Sequence, residues 1–259
     1  MRRRRRIALA ALLSLACLII PTVVLATEGL TLTSHVSFQP DELGASTNLS
    51  ATASFHATET SVPPPISKLV VYLPAGMKID VNGAGQCTAA KLEAGGPHAC
   101  PADSRVGFGG GTGLLELGKE VIKEPYTLDF FLGPREGGHL TILAFVEAVS
   151  PAFIELVLVA TEIHAPKPYG LGFSVEVPPI PTLPEASNAS VEHVLITIGD
   201  KNVAYYKTVK GKRKLVYVKG VTVPKRCPNP SKGFPYKALV SFEDGTSLTD
   251  VGTIACPHE

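Results

Sequence analysis

The sequence predicts an all-β fold, an antiparallel β-sandwich of about a dozen short strands with one short helix. Three observations carry this. Apolar and polar residues alternate with a period of two along several segments. Other segments are continuous apolar runs of strand length, and short turn signals separate the two kinds.

Leu49, Ala51, Ala53 and Phe55 alternate with Ser50, Thr52 and Ser54, giving one apolar and one polar face. The run at 69–73 is apolar on both faces, as in a strand covered on two sides. The one helix-like segment is one or two turns at 88–94, between Cys87 and Cys100. The glycine-rich run 107–113 resembles a phosphate loop only superficially. Position 112 is Thr where a dinucleotide fingerprint needs Gly, and neither Gly-Lys-Ser/Thr nor a helix follows, so it reads as a strand with a bulge or kink. Tyr126, Leu128, Phe130 and Leu132 resume the alternation, and 140–146 and 153–160 are again apolar on both faces. Leu171, Phe173, Val175 and Val177 oppose Gly172, Ser174 and Glu176. The proline-rich 178–184 stretch reads as a stiff extended crossover within one sandwich, with a domain boundary at 178–188 as the alternative. Val194, Ile196 and Ile198, then Val216 and Val218, then Val240 and Phe242 complete the strands. Asn82-Gly83, Gly137-Gly138 and Asp244-Gly245 mark tight turns.

Residues 1–26 have the three parts of a secretory signal. Arg2 to Arg6 precede an apolar run, Pro21 breaks it, and Val24-Leu25-Ala26 resembles a cleavage site. An uncleaved anchor is the rival reading. Cys17 lacks the leucine expected three residues before a lipidated cysteine. The expected product is therefore extracellular or at the cell surface, residues 27–259, forming a single large β-sandwich domain with no transmembrane segment after cleavage. Its 19 basic side chains (24 less the five signal arginines) face 23 acidic ones, a mildly acidic balance that gives no reason to expect nucleic acid as a partner.

Cys87, Cys100, Cys227 and Cys256 allow three pairings, and proximity along the chain favours 87–100 and 227–256. Zinc is the competing explanation, but no Cys-x-x-Cys exists and only His98 lies near a couple.

Leu73-Pro74-Ala75-Gly76, Cys87, and Cys100-Pro101-Ala102-Asp103-Ser104-Arg105-Val106-Gly107 form a recurrent pattern. With Asp41 to Ser46, Val177 to Pro181, and the closing Phe242 to Gly245 and Cys256-Pro257, it resembles a group of secreted proteins of high-GC Gram-positive bacteria. The resemblance covers most of the mature chain. It implies export and a β-sandwich, and it carries over no functional residue. The basic 207–214 segment departs from the group.

Standard catalytic equipment is missing. There is no Gly-x-Ser-x-Gly elbow and no His-Glu-x-x-His, and the histidines are scattered. A Ser–His–Asp triad would need distant strands to converge, whereas a carboxylate pair drawn from Asp129, Glu147 and Glu155 would lie on neighbouring strands, where charges on a solvated sheet face are the usual explanation. No catalytic residue, metal ligand or cofactor is therefore assigned. Lys207, Lys210, Lys212, Arg213 and Lys214 surround Gly211 in a hairpin flanked by Tyr205, Tyr206 and Tyr217. They suit a cell-wall polymer or acidic glycan, or else simply keep an exposed hairpin soluble. The expectation is a non-catalytic secreted or cell-envelope-associated structural or interaction protein. A polyanion- or glycan-binding module using 205–217 is the alternative, and a hydrolase with a dispersed site is the second.

Overall fold

The computed structural model describes residues 29–58, 62–81, 84–182, 186–199, 204–217, 220–228 and 232–257. The expected export signal lies outside them, as do the Asn82-Gly83 turn and Val218. In chain order the elements are β1 (Leu30–Gln39), β2 (Ser46–Ala57), β3 (Ile66–Pro74), β4 (Lys78–Ile79), α1 (Ala89–Gly95), β5 (Arg105–Leu117) and β6 (Glu120–Leu132). Then follow β7 (Thr141–Ala148), β8 (Ile154–Ile163), β9 (Tyr169–Glu176), β10 (Ser190–Gly199), β11 (Ala204–Val209), β12 (Lys212–Tyr217), β13 (Val221–Thr222), β14 (Phe234–Phe242) and β15 (Ser247–Ile254). The chain is an antiparallel, sandwich-like all-β fold, and among the described residues its one α-helix lies inside the first cysteine loop. The strands outnumber the expected dozen because β4 and β13 are two-residue fragments too short to show a period.

Among the described residues one sheet holds every strand except the β11–β12 hairpin, in the order β15-β14-β3-β9-β8-β7-β6-β5-β10-β2-β13-β4, with β1 on β2. The sheet curls until β1 and β15 meet. No ladder joins them among the described residues. Asp250 instead accepts the outward backbone N–H of Ser34 at 2.8 Å, and the Tyr236 hydroxyl donates to the Ser34 carbonyl at 2.9 Å. Such side-chain bonds occupy edge groups that would otherwise invite another chain. Strands from before and after 178–188 interleave, since β14 lies on β3 and β10 lies between β5 and β2.

The glycine run owes its composition to close approach. A Cβ at Gly109 would stand 2.4 Å from the Leu195 carbonyl oxygen, and one at Gly111 would stand 2.0 Å from that of His193. Register shifts flank the run, between Arg105 and Gly107 and opposite Gly113 in β10. The segment is therefore strand, with β10 pressed against its glycine face.

The outer face of β6 to β8 is covered by the cysteine loop. Thr88 caps α1 by accepting the Lys91 N–H at 3.3 Å, and Gly96, at φ +62°, ends it. Leu92, fully buried, packs with Phe131, Leu143 and Phe145. This accounts for the runs at 140–146 and 153–160 being apolar on both faces: Leu143, Phe145, Val157 and Val159 meet the helix layer, while Ile142, Ala144, Leu158 and Ala160 turn inward. Inside the roll, Phe38, Leu73, Val106, Leu132, Phe234 and Ile254 fill the end where β6 stops and β7 starts.

Candidate functional site

Both local disulfides are present. Cys87–Cys100 has a Cα separation of 5.3 Å and Cys227–Cys256 one of 6.0 Å, each within the ordinary range for a bridge. The first holds the α1 loop on the sheet, where the Cys87 N–H also donates to the Leu132 carbonyl at 2.9 Å. The second ties the segment after β13 to the end of β15, beside the filled core.

The five basic residues stand exposed on the β11–β12 hairpin. Lys210 and Gly211 both have positive φ (51° and 74°), as a two-residue turn matched to strand twist requires. Lys207 lies directly opposite Lys214, a like-charge pairing that disfavours the isolated hairpin. The Arg213 guanidinium sits 4.0 Å from the centre of the Tyr206 ring. None of the five is in an ion pair among the described residues.

The three carboxylates named from sequence lie together on neighbouring strands. Glu147 of β7 is paired in register with Glu155 of β8, and Asp129 of β6 lies one pleat along on the same outer face, bonded to Arg105. They line an open groove beside the α1 loop, with Glu93 and His98 among its other walls. Among the described residues no group of His, Cys, Asp or Glu is placed to hold a metal.

The feature that sequence reasoning did not isolate is inside the roll. Beyond the filled end, towards the β5–β6 turn and the β7–β8 loop, the inward faces line a partly open chamber of about 270 Å³. Ten strands contribute to its wall. The wall is apolar, and several of its positions are small: Ala53, Gly113, Ala144, Ala148, Ala160 and Ala238. The 178–189 crossover adds Ile180 and Ala189, tied by the Ala189 N–H to the Ile180 carbonyl at 2.9 Å.

The face Tyr126, Leu128 and Phe130, legible as an alternation, is part of this wall, and Glu124 precedes it in phase. Glu124 is 2% exposed. Burial raises the pKa of its carboxyl, partly offset by the backbone N–H groups of Ala152 and Ser150 in the β7–β8 loop. The Ala152 N–H lies 3.2 and 3.4 Å from its two oxygens. Burial likewise raises the pKa of the Tyr126 phenol, whose hydroxyl donates to the His193 carbonyl at 3.1 Å. Neighbouring Lys123 points outward and pairs with Glu192 at 2.6 Å. A carboxyl in phase with an apolar strand face is the signal that marked this wall in the sequence.

At the same end of the roll, Val149 and Phe153 in the β7–β8 loop are 67% and 69% exposed, next in sequence to the lining residues Ala148 and Ile154. No helix among the described residues is long and apolar enough to cross a membrane. The chain matches no family model, no curated protein and no solved structure.

Proposed function

We propose that this protein is a non-catalytic, exported binding protein that holds a small apolar ligand in the chamber of its rolled sheet. The chamber itself carries the reading. Its wall is built with alanine and glycine at positions where leucine or valine would fill the space, and a concave, mostly apolar space is the ordinary form of a small-molecule site. The exposed Val149 and Phe153 support it, because a lipid layer from which such a ligand is drawn would meet apolar side chains there. Export is supported by the two disulfides, which persist in oxidising compartments, and by the arginine-led apolar N-terminus. The test is titration of the purified protein with the neutral fluorophore N-phenylnaphthylamine. Saturable binding at one site per chain is expected, abolished in an Ala144→Phe, Ala160→Phe variant that remains folded. Undiminished binding by that variant would refute the chamber as the site.

A second reading concerns the hairpin. The opposed Lys207 and Lys214, with Lys210, Lys212 and Arg213, form a cationic surface that an anionic envelope polymer or acidic glycan would relieve of its like-charge repulsion. Retention on cell-wall material should fall as salt rises, and should drop on replacing Lys212, Arg213 and Lys214 by Ala. Equal retention by that variant would leave the lysines a solubilising role only.

A further inference from the structure

Three polar side chains stand among the residues lining the chamber, and each is held within the protein. The Tyr126 hydroxyl donates to the His193 carbonyl at 3.1 Å, and the Ser190 hydroxyl donates to the Pro63 carbonyl at 2.6 Å. The Glu124 carboxyl is 2% exposed and accepts the Ala152 N–H at 3.2 and 3.4 Å, with the Ser150 N–H as a further donor. The surface left to the chamber is therefore almost wholly apolar. A hydroxyl or carboxylate brought inside would lose its water and find no free partner on that wall. The chamber is also partly open, so one end of an occupant stays in contact with water. A plain hydrocarbon would leave apolar surface at that opening, whereas an amphiphile would place its head there.

We infer that the chamber takes the tail of a single-chain amphiphile, which enters tail first and leaves its head outside in water. The inference rests on the chamber being the ligand site. The volume sets the length of the tail. A cavity of about 150 Å³ accommodates the six carbons of benzene, so one of about 270 Å³ accommodates about ten. Recognition is then of the tail, and heads of different charge and size are accepted alike.

The experiment is displacement of bound N-phenylnaphthylamine by amphiphiles held below their micelle-forming concentrations. Decanol, decanoate and decyl maltoside share a tail and differ in the charge and size of the head. They are expected to displace the probe at concentrations within about threefold of one another. Decanediol, with a hydroxyl at each end, must bury one of them and should need at least about tenfold more than decanol. Along the alcohols from hexanol to tetradecanol, affinity should rise about fourfold per methylene and level off near about ten carbons. The Ala144→Leu variant should bring that plateau to shorter chains. A diol as effective as decanol, or a maltoside that fails where decanol succeeds, would overturn the tail-first inference and leave the chamber reading standing. Probe binding and displacement unchanged in the Ala144→Phe, Ala160→Phe variant would overturn both.

Discussion

At the residue scale, Glu124 ties the stability of the fold to pH. Its pKa is raised mainly by burial, so the folded chain binds this proton more tightly than the unfolded chain does. Its contribution to stability is therefore full below the ordinary carboxylate pKa and is lost as pH rises through the raised folded value. Glu124→Gln abolishes that ionisation. Its melting temperature should fall less than the wild type's between mildly acidic and mildly alkaline pH, as followed by circular dichroism. Coincident pH profiles would assign the titration to another group. The Lys123–Glu192 pair beside it faces outward and is unchanged by the substitution.

At the scale of elements, α1 depends on its staple. A seven-residue helix is too short to persist alone, and here it is capped by Thr88, stopped at Gly96 and seated through Leu92. Cys87–Cys100 closes a loop with a sequence separation of 13, which the chain-entropy argument values at about 3 kcal/mol. A Cys87→Ser, Cys100→Ser variant should lose roughly that much in denaturant unfolding. A loss within error would mean that Leu92 and its neighbours hold the loop unaided. These parts were largely legible. Thr88, the cysteine pair, and the apolar outer positions of β7 and β8 are local or periodic signals. The hairpin turn at Lys210-Gly211 was legible for the same reason. The closure of β1 on β15 was not, because a Ser34–Asp250 bond between residues so far apart leaves no periodic trace.

At the scale of the whole molecule, the roll is dense at one end and hollow at the other. A set of inward alanines leaves the chamber open, while the outer disulfide loop covers the far face of β6 to β8. Partial filling by Ala144→Leu should raise thermal stability by about 1–2 kcal/mol while weakening probe binding. That opposition between stability and binding distinguishes a maintained site from a packing fault, since repairing a fault would raise stability and change nothing else. The sequence by itself determined most of the strands, the inward face of those that alternate, and where the two staples lie, because those follow from a period of two and from short separations along the chain. Only the tertiary structure decided what the inward faces enclose. That volume depends on sheet curvature and on side chains brought together from ten strands, and so the same alternation that announced a packed core surrounds a chamber with one buried carboxyl in its wall.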